Sequence, residues 1–162
     1  MRTFSIVKGL PVFELKSGSK IGEVCDFSIA NGRVKGLLLK KGALLKKTYF
    51  IDIHDVSSFG WNGVMLKDPK ALKRIKRVED YTFDGHNRLN RRMMLTSSGD
   101  QLGLLEDVYF LEEMGTIVGY ELSDGFFSDV TEGKRVIKTN QPPAIGKDAI
   151  IVHLPNDEKR KQ

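Results

Sequence analysis

Two aspartates hold the same place in two similar stretches: Asp26 in GEVCDFSIANGRVKG (22–36) and Asp107 in GLLEDVYFLEEMGTIVG (103–119). A pair of carboxylates is the equipment of general acid/base catalysis, but the two must flank one bond within roughly 5–10 Å. These two belong to separate copies of a repeat and could meet only where the copies touch. A short acid beside a hairpin more often accepts backbone N–H groups, and that role is expected of both. His54, His86 and His153 are far apart in the chain, have no partner at metal-ligand spacing, and have one cysteine, Cys25, to help them. In DIHD, alternation would put Asp52 and His54 on one strand face and Asp55 on the other. Cys25 falls in an apolar alternating run with Phe27 and Ile29, and Glu106 replaces it in the second stretch. It reads as a small buried hydrophobe with no base to activate it. Neither a serine-centred elbow nor a phosphate-binding glycine loop is present. No catalytic residue, no metal and no cofactor are expected, so the chain does not read as an enzyme.

The charged residues carry a different message. Lys67, Lys70, Lys73, Arg74, Lys76 and Arg77 put six cations into eleven residues, with Lys40, Lys41, Lys46 and Lys47 upstream. Such a cluster suits phosphate backbone or anionic lipid. Trp61 and Tyr81 flank it rather than interleave with it, which is poor for stacking single-stranded bases. The plainer alternative is the solvated face of a helix. The net charge of +5 divides unevenly. Residues 1–80 carry +8 (16 cations, 8 acids) and residues 81–162 carry −3 (10 cations, 13 acids). The halves therefore face different partners, or each other.

The elements that position these residues come in duplicate. Gly22 and Asp26 recur as Gly103 and Asp107, Gly36 and Leu39 as Gly119 and Leu122, and Gly60 and Pro69 as Gly146 and Pro155. The offset drifts from 81 to 83 to 86, as small insertions in turns would cause. Each copy reads as short strands. One hairpin turns at Asn31-Gly32, the pair best suited to positive φ at both central residues, and its counterpart turns around Met114-Gly115. Further strands are expected at TYFIDI, GVMLK, RRMMLT, GKRVIK and AIIVHL. One helix interrupts the pattern: in DPKALKRIKRVEDY, Asp68 reads as the N-cap and Pro69 as the first helical residue. A second short helix is expected in SDGFFSDVTEG (123–133), and the polar tail should fray.

GLPVFELKSGSKIGEVCDFSIANGRVKGLLL resembles the opening of a PRC-barrel domain, and FIDIHDVSSFGWNGVMLKDP resembles its close. The second copy repeats the opening at Gly99, Gly103, Asp107 and Gly119, and the close at AIGKDAIIVHLP. The expected fold is all-β: two tandem small antiparallel PRC-like β-barrels with a short linker helix. The expected boundaries are a first barrel over 1–68, a basic helical linker over 69–91, a second barrel over 92–155 and a disordered tail over 156–162. Gly22, Asp26, Gly36, Gly103, Asp107 and Gly119 are the structural signature. The resemblance implies a docking module, since no shared catalytic residue travels with the family. A non-catalytic protein–protein adaptor is the first expectation, its partner another protein or a second copy of itself. An RNA- or ribosome-associated assembly factor using the basic first barrel comes second. A small-molecule or metal-binding regulator is third, and a membrane surface ranks below protein and RNA as a partner. The lone cysteine and the lack of a signal-peptide-like start point to the cytoplasm.

Overall fold

The computed structural model describes residues 1–123 and 135–154. The first copy supplies β1 (Arg2–Thr3), α1 (Phe4–Val7), β2 (Pro11–Glu14), β3 (Lys20–Ala30), β4 (Arg33–Lys41), β5 (Lys47–Asp52), β6 (Val56–Phe59), β7 (Val64–Leu66) and β8 (Lys73–Arg74). The second supplies β9 (Tyr81–Thr82), β10 (Met93–Thr96), β11 (Gln101–Phe110), β12 (Ile117–Ser123), β13 (Arg135–Ile137), β14 (Ala144–Ile145) and β15 (Ile150–Val152). Each copy is a sheet built around a long hairpin, β3–β4 or β11–β12, with one parallel pair, β2–β7 or β10–β15, among otherwise antiparallel strands. Val12 lies opposite Val64 in the first copy and Met94 opposite Ile150 in the second. Asn31 and Gly32 turn the first hairpin with φ of 52° and 69°, the geometry that matches strand twist.

The strand pairing of the copies is exchanged. β1, at the start of the first copy, pairs with β11 of the second, Arg2 opposite Phe110 and Thr3 opposite Tyr109. β9, at the start of the second, pairs with β3 of the first, Tyr81 opposite Ile29 and Thr82 opposite Ser28. The two hairpin turns also bond reciprocally. Val34 N–H donates to the Gly115 carbonyl (2.7 Å), and Ile117 N–H donates to the Gly32 carbonyl (3.0 Å). An offset of 83 converts each bond into the other, so the copies are related by an approximate two-fold axis through the Arg33–Thr116 bridge. The buried apolar residues form one cluster across both sheets. At its centre Phe4 and Phe83, equivalent residues of the two copies, lie 4.3 Å apart between centroids. Phe4 meets Phe27 edge-on at 5.0 Å, and Phe27 meets Phe110 at 5.2 Å.

The expected linker helix does not form. Asp68 does cap the turn, accepting from Lys70 N–H at 2.9 Å, but the helix is a single 3₁₀ turn over Pro69–Ala71. Lys73 and Arg74 then add β8 to the open edge of β5, opposite Phe50 and Tyr49. A helix would have left that edge without ladder partners, whereas the extended chain satisfies it and still packs Ala71 and Leu72 on the core. Alternation in β3 is also broken: the register shifts between Val24 and Asp26, making Cys25 a bulge residue, half-buried, rather than one of the buried apolar row. Glu106 holds the same bulge in β11. Ile53–Asp55 form a 3₁₀ turn capped by Asp52, so the strand alternation assumed for Asp52, His54 and Asp55 does not apply. The short helix expected at 123–133 lies almost wholly outside the described residues, as does the tail over 156–162.

Equivalent glycines differ in how closely they are approached. A Cβ at Gly36 would lie 2.2 Å from the Ile51 carbonyl oxygen and 2.4 Å from the Phe50 ring. At Gly119 its nearest neighbour is a Val136 methyl at 3.0 Å, a side chain free to give. Gly36→Ala should therefore destabilise by about 3 kcal/mol or more, as overpacking against backbone does, and Gly119→Ala by about 1 kcal/mol. Urea midpoints of the two variants check the contrast, and equal losses would contradict it.

Candidate functional site

The duplicated aspartates are both buried, each 6% exposed. Asp26 Oδ1 accepts three backbone N–H groups: Phe27 at 2.8 Å, Phe83 at 3.0 Å and Asp84 at 3.1 Å. Phe83 and Asp84 belong to the second copy. Asp107 Oδ1 accepts from Val108 N–H at 2.8 Å and Ser5 N–H at 3.3 Å, and its Oδ2 from the Ser5 hydroxyl at 2.5 Å. Ser5 belongs to the first copy. Each bulge turns an aspartate inward, where it holds the opening segment of the opposite copy. Burial pushes the Asp26 carboxyl above the usual range, against the pull of its backbone donors. Both acids are committed to main chain, as clamps between the copies.

The other candidates remain dispersed. His54 Nδ1 lies 2.9 Å from Asp52 Oδ1 at the surface, and His86 and His153 are exposed elsewhere. Among the described residues no three His, Cys, Asp or Glu side chains gather as a metal site. Desolvation raises the Cys25 thiol pKa, outweighing the opposing pull of Lys40, which works against a nucleophilic role. Gly22 and Gly103 sit where β3 and β11 run close under a neighbouring backbone, a Cβ falling 2.7 Å from the Lys40 carbonyl oxygen and 2.3 Å from that of Ser123.

Two surfaces stand out instead. The first is a cleft of about 860 Å³ that both copies line, Asn31 from the first and Tyr81, Arg92, Pro142, Pro143 and Lys147 from the second. Its base is braced: the Arg92 guanidinium lies 5.4 Å over the Tyr81 ring and donates to the Gly146 carbonyl at 2.8 Å. Glu79 and Asp80 join Arg92 and Lys147 in its lining, which therefore carries both signs of charge. The second is the basic edge of the first sheet. Lys67, Lys70, Lys73, Arg74, Lys76 and Arg77 are all exposed. β8 brings Lys73 and Arg74 beside β5, close to the β4–β5 hairpin with its own four lysines.

A sequence profile of the PRC-barrel domain matches residues 1–73 and again residues 83–159. The chain belongs to the PRC-barrel family. The Bacillus subtilis (strain 168) protein YrrD, itself described as uncharacterized, is 30% identical over 156 residues, covering 94% of this chain and 88% of YrrD. The two matched stretches are the two PRC copies. Within the described residues no helix is long and apolar enough to cross a membrane. The residues that sequence reasoning missed are the partners of the PRC aspartates, Ser5, Phe83 and Asp84. A faint signal was available: RTFS (2–5) recurs as YTFD (81–84), each shortly before the opening strand of its PRC copy.

Proposed function

We propose that this two-copy PRC-barrel protein is a non-catalytic adaptor of the cytoplasm whose protein partner docks in the cleft between the copies. The cleft itself carries this reading: both copies contribute to its lining, and its mixed charge and the exposed Pro142 suit an extended peptide segment. Support also comes from the aspartates, the most chemistry-like groups in the chain, which are spent on backbone. The test is affinity purification from the native cell after nuclease treatment, with wild type beside variants of two exposed lining residues, Glu79→Lys and Lys147→Glu. A specific protein retained by wild type and lost from both variants, at unchanged melting temperature, is the expected result. Retention indifferent to both variants would remove the cleft from the reading.

An RNA-associated role is the second reading, favoured by the six exposed cations of 67–77. It requires retention on RNA that weakens steeply with salt and disappears on charge reversal at Lys73, Arg74, Lys76 and Arg77. Salt-independent binding that ignores those four would end it.

A further inference from the structure

The β4–β5 hairpin ends in KKGALLKK (40–47), two leucines between two pairs of lysines with no acid among them. Leu44 is 98% exposed and Leu45 80% exposed. Scattered surface leucines are ordinary, but these two are adjacent at a hairpin tip, and the described residues leave both in solvent. The turn is built tightly beneath them. Lys41 opposite Lys47 is the last paired rung, and Gly42 takes φ of +125° with the Leu45 carbonyl oxygen so close that a Cβ would lie 2.5 Å from it.

The charge around the tip is predominantly positive. Lys40, Lys41, Lys46 and Lys20 line a hollow of about 320 Å³ at its flank, with Glu23 as the acid there, ion-paired to Lys20 at 2.7 Å. On the other side β8 runs antiparallel to β5, so the chain heads toward the tip from Lys73 to Arg74, and Ile75 N–H then reaches the Thr48 carbonyl at 3.1 Å. Lys76 and Arg77 follow. By sequence alone, the corresponding stretch of the second copy (124–134) carries Asp124, Asp129 and Glu132, so the basic tip belongs to one copy only.

We propose that this tip is a peripheral anchor for a bilayer bearing anionic lipids. Leu44 and Leu45 enter the headgroup–acyl boundary, and Lys40, Lys41, Lys46, Lys47, Lys73 and Arg74 rest on the lipid phosphates, their stems spread along the interface. An apolar point flanked by lysines is the pattern that interfacial anchors use, combining buried apolar area with attraction to anionic headgroups. RNA shares the attraction for cations but offers nothing to two aliphatic side chains, since it rewards aromatic stacking. The anchor does not depend on the adaptor reading, because the cleft is built from other residues.

The test is co-sedimentation of the full chain with vesicles of phosphatidylcholine alone and with vesicles of about three parts phosphatidylcholine to one part phosphatidylglycerol. Binding to the anionic vesicles only, weakening with salt, is expected. Lys46→Glu/Lys47→Glu should reduce partitioning at least 25-fold, roughly fivefold for each cation lost. Leu44→Ser/Leu45→Ser should reduce it about tenfold with the salt slope unchanged, because only the apolar part is removed. Both pairs are exposed, and circular dichroism confirms that the variants fold. A Leu45→Trp reporter in a Trp61→Phe background should shift to the blue on anionic vesicles. No binding to anionic vesicles at low salt overturns the proposal. So does binding in which the leucine pair changes nothing, as does retention on random RNA in preference to vesicles. The assay contains no protein partner, so its failure leaves the adaptor reading standing.

Discussion

Deleting residues 1–7 should destabilise the second PRC copy as well as the first. The segment contributes β1 to β11, the Ser5 donors to Asp107, and two core side chains, Phe4 at 5% exposure and Val7 at 0%. Arg2 adds a tie, its guanidinium donating to Glu112 at 2.7 Å and to the Phe59 carbonyl at 2.6 Å. Losing a buried phenylalanine costs about 3–5 kcal/mol, and orphaning a buried carboxylate adds about 1–3 kcal/mol. The total is comparable to the whole stability of a domain this size, about 5–15 kcal/mol. Native-state hydrogen exchange should show the amides of Tyr109 and Phe110 losing protection. The milder Phe4→Ala should show the same pattern at about 3–5 kcal/mol. Lost protection confined to β3 and β4, with β11 unchanged, would contradict the exchange of strands.

Asp26→Ala should cost about 3–5 kcal/mol and lower the melting temperature by about 10 °C. It strips the acceptor from three N–H groups, two of them buried, and of these Phe83 also reaches the Phe27 carbonyl at 3.3 Å. Asp26→Asn should cost much less, about 1 kcal/mol, because an amide oxygen can take the place of Oδ1 and accept the same three bonds. The pair also differs from wild type in pH dependence. Burial raises the Asp26 carboxyl in the folded state, so the folded chain holds its proton more tightly than the unfolded chain. The resulting stability is fully present below the unfolded value of about 3.9 and is lost as pH rises through the raised folded value. The wild-type advantage over Asp26→Asn should therefore shrink with rising pH across that window. Urea unfolding from acid to neutral pH measures it, and an advantage that grows with pH would refute the assignment.

What could be read from the chain divides along the range of the interactions. The hairpin at Asn31-Gly32 and the repeated Gly22, Asp26, Gly36 signature are local, and their geometry follows from a few adjacent residues. The basic stretch 67–77 shows the limit. Its cap at Asp68 and Pro69 is a sound helix start, yet the open edge of β5 captured Lys73 and Arg74 instead. No residue near 70 announces that edge, which forms 20 positions earlier. The bulges at Cys25 and Glu106 were likewise hidden, because they are set by pairing with β4 and β12. The aspartates were legible as backbone acceptors but not as clamps, since the donors from the opposite copy lie 57 to 102 residues away. The apolar tip at Leu44 and Leu45 was written in plain view, but leucine on a strand end reads as core until the hairpin is seen to project past it.

The reciprocal bonds between Val34 and Gly115 and between Ile117 and Gly32 have the form of an isologous dimer interface drawn within one polypeptide. A chain with a single copy would find the donors for its buried aspartate only on a second molecule, and its folding would rise and fall with its own concentration. Tandem fusion removes that dependence, because the partner is always tethered at high effective concentration. It also releases the two halves from having to be identical. A homodimer must present every surface twice, whereas this chain can keep the symmetric clamps and give one end alone its lysines and leucines.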